Sequence, residues 1–176
     1  QKGTLRAYYA SVSFVDALVG KILTALEATG QRDNTIVIFT SDHGYHLGEH
    51  DMWQKVSIHE ESAKVPLIIS VPGKNPAVCH SLSELIDLYP TVSNLCDLKI
   101  PENIQGKDIS AMLDDPAVKV HDVVMSSGKG RLLRTENWAF LDYGKSGELY
   151  DMENDPKQYN NLINNTKYAE TLTALR

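Results

Sequence analysis

Residues 35–55 read TIVIFTSDHGYHLGEHDMWQK. From Thr35 to Phe39 and Thr40 every side chain is β-branched or aromatic, with no polar alternation, and Ser41 closes the run. A short run that is apolar on both faces suits the interior of a parallel sheet covered by helices on both sides. Asp42, His43 and Gly44 then fall just past the carboxyl end of that strand, where open α/β sheets bind their ligands.

Asp42 offers a hard anionic oxygen and His43 an imidazole nitrogen. Both reach one cation if the chain turns sharply, and Gly44 permits such a turn through dihedrals closed to other residues. The same three residues also describe a plain turn with an Asp cap. Close behind come His46, Gly48, Glu49, His50, Asp51, Trp53 and Lys55. A zinc site drawn from Asp42, His43, His46 and His50 has suitable donors. Its spacing matches no strong zinc pattern, however, and no paired Cys-x-x-Cys accompanies it. His46 and His50 are therefore read as loop surface, or as neighbours of a site built by others.

The longer stretch TSDHGYHLGEHDMWQKVSIHEESAKVPLIISVPG, residues 40–73, resembles the carboxyl-side half of the sulfatase family, within the alkaline phosphatase superfamily. The Asp-His-Gly element is shared with phosphodiesterases and phosphomutases that use zinc or manganese. LGEH, the Trp53-x-Lys55-x-Ser57 element and the Glu60 to Lys64 segment leading into VPLI point more narrowly to sulfatases, most similar to the iduronate-2-sulfatase type. The resemblance implies that Asp42 and His43 ligate a divalent cation, Ca2+ in this family with Zn2+ or Mn2+ as alternatives. Some relatives carry Asn where this chain has His43. It also implies that Lys55 contacts the sulfate group and assists its departure. That role has a physical basis, since charge moves onto the ester oxygen as the S–O bond breaks, and a fixed cation and ammonium stabilise it. Tyr45 and Trp53 are candidates for an aromatic wall against a sugar ring, or equally for anchors of the loop.

The family's nucleophile is a formylglycine made within a Cys/Ser-x-Pro-x-Arg motif, and no such motif occurs here: Cys79 precedes His80 and Ser81, and Cys96 precedes Asp97 and Leu98. The paired aspartates that supply the family's other cation ligands are absent too. The resemblance therefore implies half an active site, with a nucleophile-bearing amino-terminal portion of the same protein as its first partner and a sulfated uronic acid or other glycan as substrate. Two rivals stand beside it: a phosphate or phosphonate ester hydrolase of the same superfamily, and a non-catalytic glycan-binding subunit.

Composition fits an ordinary globular protein, with 176 residues, 42% hydrophobic and 23% charged. The formal net charge of −6 argues against general nucleic-acid affinity, and a local basic pocket for an acidic substrate remains compatible with it. No uninterrupted apolar run reaches the length of a membrane span. The chain opens on Gln1 without Met or a signal-like segment, so its natural start is expected elsewhere. By resemblance the protein is secreted, periplasmic or lysosomal. Cys79 and Cys96 allow one disulfide or two thiols, and Asn164-Asn165-Thr166 matches a glycosylation acceptor pattern.

Along the chain, Tyr8, Val12, Val15, Leu18, Val19, Ile22 and Leu26 recur every three or four residues, predicting a helix over Leu5 to Thr29 that ends at Gly30. Gly20 inside it suggests close packing on the sheet, and Asp16 is read as structural. A second buried strand is expected over Val65 to Val71, with Pro66 at its start. A helix capped by Ser81 or Ser83 follows to about Leu98, presenting Leu85, Leu88, Val92 and Leu95 on one face, with Pro90 kinking or restarting it. DLYPTVSNLCDL and QGKDISAML resemble family segments and read as packing.

After Pro116 short strand-like runs at Val123–Ser126, Arg131–Arg134, Trp138–Tyr143 and Glu148–Asp151 predict a small antiparallel sheet, closed by a helix over Lys167 to Leu175. The expected fold is thus α/β, a mainly parallel sheet flanked by helices over residues 1–116, with an antiparallel C-terminal subdomain over 117–176. Arg131 and Arg134 have the geometry to meet an anionic sugar, and are more simply ion-paired strand residues.

Overall fold

The computed structural model describes residues 2–55 and 57–176. They form two compact units, one from the residues up to Thr40 together with Pro66–Lys74, the other from Ser41–Val65 together with Asn75–Arg176. The helices are α1 (Lys2–Ala28), α2 (Glu60–Ala63), α3 (Leu88–Leu95) and α4 (Ala169–Ala174). The strands are β1 (Val37–Thr40), β2 (His46–Leu47), β3 (Trp53–Gln54), β4 (Leu67–Ser70), β5 (Val123–Ser127), β6 (Arg131–Thr135), β7 (Trp138–Asp142) and β8 (Gly147–Asp151).

In the first unit α1 ends as its sequence requires. Gly30 N–H reaches Glu27 O at 2.9 Å and Gln31 N–H reaches Leu26 O at 3.2 Å, with Gly30 at φ +68°, a conformation that glycine adopts without penalty. The helix buries none of its residues, and a Cβ on Gly20 would meet open space. The close packing expected at Gly20 is not made by the described residues. By length and composition α1 also qualifies as a membrane-crossing helix, which a search for uninterrupted apolar runs passes over because Arg6, Asp16, Lys21 and Glu27 punctuate it.

β1 and β4 pair from Val37↔Ser70 to Thr40↔Leu67, and the pairing is antiparallel. This corrects the parallel arrangement expected from the two-faced apolar pattern. A parallel neighbour needs a crossover that carries the chain to the far end of the sheet, usually a long helix. The connection between β1 and β4 holds instead a short hairpin and the four-residue α2. Phe39 and Ile68 remain 41% and 59% exposed, so the apolar faces that suggested a sheet interior are not filled by the described residues.

The second unit contains the expected meander, β5-β6-β7-β8, antiparallel throughout. Its core gathers Leu132, Ala139, Leu141, Tyr150 and Met152 around Ile58, which arrives from the loop after β3. Full burial of a side chain the size of Ile58 stabilises by about 1.5–3 kcal/mol. Gln158 Oε1 accepts Glu60 N–H at 2.9 Å and Arg134 Nε donates to Glu60 Oε1 at 3.0 Å, tying the start of α2 to the sheet region. For that reason the boundary expected near Pro116 falls inside the second unit, whose loop and sheet share one core. Near the C-terminus, Tyr168, just ahead of α4, sets its ring 5.2 Å from that of Trp138.

α3 departs from expectation at its start. A capping box between Glu84 and Asp87 closes the short 3-10 turn Leu85–Asp87 that leads directly into α3, and neither Ser81 nor Ser83 caps the helix. Pro90 falls in the first turn, where a missing N–H costs nothing. The fully buried positions are Pro90, Thr91 and Ser93, with Asp87 just before the helix, while Leu88, Val92 and Leu95 on the expected apolar face are half-buried and Leu85, ahead of the helix, is 42% exposed. Asp87 explains the deeper burial of the polar side. Its carboxylate accepts Glu84 N–H at 2.7 Å, Lys107 N–H at 2.8 Å and His121 Nε2 at 2.9 Å, so the polar side of the helix organises the chain around it.

Candidate active site

The segment from Ser41 to Val65 belongs wholly to the second unit. Within it β2 and β3 form a tiny hairpin, pairing His46↔Gln54 and Leu47↔Trp53. His50, Asp51 and Gln54 adopt positive φ of 56°, 56° and 71°, each costing on the order of 1 kcal/mol for a non-glycine residue. Such a turn persists only where its surroundings hold it.

Gly44 is required, for a reason other than the dihedral freedom anticipated. A Cβ there would lie 2.0 Å from Glu61 O, and Gly44 N–H donates to Ser62 O at 2.9 Å. The residue is small because the backbone of α2 passes directly against it.

His43 Nδ1 lies 2.8 Å from Gly44 O. A carbonyl only accepts, so Nδ1 carries the hydrogen and Nε2 presents its lone pair. That bare nitrogen stands 3.4 Å from Asp42 Oδ2. Two adjacent acceptors at this spacing suit one shared cation: ligands at right angles on an ion at about 2.4 Å stand about 3.4 Å apart. The backbone carbonyl behind the ring fixes its tautomer, as outer-shell partners of metal-bound histidines do. The Asp42 side chain is 82% exposed. Desolvation acts to raise its pKa and is outweighed by His43, by the N–H groups of Asp42 and His43 and by the Lys55 ammonium, so the carboxyl is held below the usual aspartate range. Asp42 is thus an anion, and Lys55 is near enough for its charge to be felt there. Lys55 itself is exposed, immediately after β3.

Trp53 packs within the hairpin, its ring 3.7 Å from the position a Cβ on Gly48 would take. Tyr45 is half-buried. His46 and His50 are not at the surface as expected: His46 is fully buried and the His50 side chain only 10% exposed. They meet His59, a residue that sequence reading missed, along with Glu61 and Glu148. The zinc set of Asp42, His43, His46 and His50 is not assembled. Among the described residues the grouping tight enough to hold one ion is Glu84, Asp87 and His121, where both Asp87 oxygens already accept protein donors. Arg131 pairs with Asp142 at 2.7 Å and Arg134 is spent on Glu60 and on the carbonyls of Thr135 and Glu136. Both follow the ion-paired reading. Cys79 and Cys96 are free, exposed thiols.

A family model described as Sulfatase matches residues 1–98, from α1 through the candidate site to the end of α3. The chain belongs to the sulfatase family. It is 32% identical over 97% of its length to an arylsulfatase of Clostridium perfringens, of which it spans 38%. Among solved structures it resembles one in complex with its substrate D-glucosamine-2-N,6-O-disulfate, with a TM-score of 0.80 and 29% identity over 93% of this chain and 37% of that one. The phosphonate monoester hydrolase of Silicibacter pomeroyi superposes with a TM-score of 0.82 at 24% identity, covering 92% of this chain and 37% of that one, and shares the fold. The chain thus spans well under half the length of the relatives it matches.

Proposed function

We propose that this chain carries the cation-binding and lysine portion of a sulfatase active site, acting on the sulfate ester of a sulfated glycan. The supporting observation is the pairing of His43 Nε2, its lone pair freed by the Nδ1–H bond to Gly44 O, with the anionic Asp42 oxygen at 3.4 Å. Asp42 and His43 hold a divalent cation there, Ca2+ by family likeness, with Zn2+ or Mn2+ as the alternatives their donor types allow. When bound, the ion supplies Lewis-acid stabilisation to sulfate oxygens. Lys55 directs its ammonium at the ester and donates to the oxygen that gains charge as the S–O bond breaks. The nucleophile, a formylglycine in this family, belongs to residues outside this chain, as do the remaining cation ligands. On this reading the protein is secreted, periplasmic or lysosomal, as sulfatases of this kind are expected to be, and the loop residues LGEH and Trp53-x-Lys55-x-Ser57 favour the iduronate-2-sulfatase type.

The test is hydrolysis of an aryl sulfate, an aryl phosphate and an aryl phosphonate by the full-length protein, stripped of metal and then resupplied with Ca2+, Zn2+ or Mn2+. Preference for the sulfate, lost on stripping and restored by Ca2+, supports the reading. A phosphate or phosphonate preference overturns it in favour of the rival hydrolase, and no hydrolysis of any ester with any metal favours a non-catalytic binding role.

A further inference from the structure

Beside the candidate site lies a buried histidine cluster to which the proposed chemistry gives no task. The His50 and His59 rings stack with centroids 4.2 Å apart and planes tilted by 30°. His46 meets both edge-on, at 6.0 and 6.3 Å. The flanking carboxylates come from two directions: Glu61 Oε2 lies 3.5 Å from His50 Nε2, and Glu148 Oε2 lies 3.1 Å from His59 Nε2. Tyr159 covers His50 with ring centroids 5.0 Å apart, and Tyr150 approaches His59 at 6.1 Å while its hydroxyl donates to Glu148 at 2.9 Å. The nearby Glu49 takes Leu47 N–H at 2.6 Å and also senses the charges of His46 and His50. Tyr143 has its pKa pushed up to about 12 by burial and by the Glu148 carboxylate.

Several polar atoms in this cluster are buried without a hydrogen-bond partner, namely His46 Nδ1, His50 Nε2, His59 Nδ1 and Glu61 Oε2. Unpaired buried groups of this kind are costly, so their retention calls for a role. A shared metal is not that role. His50 and His59 are stacked, each aiming Nε2 at a different carboxylate, and the donor atoms are not brought within one ion's reach among the described residues. The cluster is instead wired to the lysine. His46 Nε2 and Ser57 Oγ lie 2.6 Å apart, and the same Oγ accepts His59 N–H at 3.1 Å. Ser57 follows Lys55 by two positions, so the histidines grip the segment that carries the ammonium, at the end of a turn strained at His50, Asp51 and Gln54.

We propose that His46, His50 and His59 are positioning residues for Lys55, and that they hold it in place only while the His50–His59 stack carries at most one proton. One proton finds a carboxylate on either side. A second places two imidazolium rings face to face at 4.2 Å in a buried site, and the stack parts, releasing Ser57 and the lysine with it. Burial and the neighbouring His50 both lower the His59 pKa, working against Glu148 and Glu61, which raise it. Folded protein therefore binds fewer protons here than the unfolded chain does. The stabilisation is complete above the ordinary histidine value of 6.5 and is lost as pH falls through and below it.

This inference rests on the assignment of Lys55 under the proposed function, and its test separates the two. In the full-length protein, kcat and KM for an aryl sulfate are measured across pH for wild type, Glu148→Gln, His50→Gln and Lys55→Ala. Removing the Glu148 charge makes His59 harder to protonate, so the acid limb of kcat moves to lower pH. Removing the His50 imidazole leaves a single ring that carries at most one proton, so the limb moves to lower pH or disappears. Displacement of both limbs to lower pH by a few tenths of a unit or more, with KM near wild type, is the expected result, whereas general loosening of the fold moves the acid limb to higher pH. A limb that coincides with wild type, or that moves to higher pH, in the folded variants overturns the proposal while Lys55→Ala remains inactive. Wild-type kcat in Lys55→Ala overturns the lysine assignment and this proposal together. If either histidine-cluster variant fails to fold, the sign of the other's shift decides.

Discussion

Two aspartate–histidine pairs in this chain use the same chemistry to opposite ends. At Asp87–His121 the imidazole donates Nε2–H into a carboxylate that also accepts two backbone N–H groups, and Asp87 and His121 are 0% and 7% exposed. At Asp42–His43 the ring spends its N–H on Gly44 O, so nitrogen and carboxylate both face outward as acceptors, with Asp42 82% exposed. The first pair is saturated and structural; the second is short of positive charge. The direction of one imidazole N–H decides whether an aspartate–histidine pair joins segments of the chain or receives a ligand.

The largest expected effect tests the structural half. Replacing Asp87 by Ala strands His121 and the N–H groups of Glu84 and Lys107, and removing one partner of a buried charged network costs about 3–5 kcal/mol. Chemical denaturation of the full-length protein should register that loss, and a midpoint within scatter of wild type would show the node to be dispensable. The functional half should answer the other way round. Lys55→Ala is expected to lower kcat by about a hundredfold to a thousandfold, the range for losing one donor to developing charge, with the melting temperature unchanged. A variant equally damaged in stability would blur the contrast between the two regions.

A smaller effect sharpens the contrast directly. If Asp42 and His43 hold a cation, Ca2+ at a hundred times its dissociation constant stabilises the folded protein by about 2.7 kcal/mol. The same addition should leave His43→Ala with only a fraction of that gain, while His121→Ala, already destabilised, should still show all of it. Calorimetric melts with and without the ion distinguish the pairs without recourse to activity.

Much of this was legible in the sequence, and the failures have physical causes. The four strands β5 to β8 announce themselves through short apolar runs and turn residues, and each lies within a residue or two of its expected bounds. The gathering of Asp42, His43 and Lys55 in one segment was also legible, because motif spacing is local. The antiparallel β1–β4 pairing was not, since a run apolar on both faces does not encode the direction of its neighbour. Gly44 was singled out for its dihedrals, whereas its need is the Glu61 carbonyl 2.0 Å from a would-be Cβ, a contact that only the fold creates. The His50–His59 stack escaped notice because Glu148 and Tyr159, which complete its surroundings, lie far along the chain. α3 misled in another way: its Leu face is periodic, yet the side it buries most deeply is the one that Asp87 and Thr91 pin by hydrogen bonds.

The smallest effect concerns a third acid–base pair, Arg131–Asp142, which has neither the burial of Asp87 nor the open acceptors of Asp42. The guanidinium meets the carboxylate at 2.7 Å on a side chain 67% exposed, and solvent-exposed pairs of this kind contribute little because water and salt screen them. Asp142 lies below the usual aspartate range first through Gly144 N–H and only then through Arg131, with burial opposing both. A depressed carboxylate stabilises above its unfolded pKa, and that contribution is lost as pH falls through the folded value. Arg131→Ala should therefore leave the melting temperature within scatter at neutral pH, and the Asp142 carboxyl, followed by NMR, should stay depressed because the Gly144 bond survives. Return of Asp142 to the ordinary aspartate range would mean that the ion pair, and not the turn, sets its charge, and would place this surface pair closer to the buried node than its exposure suggests.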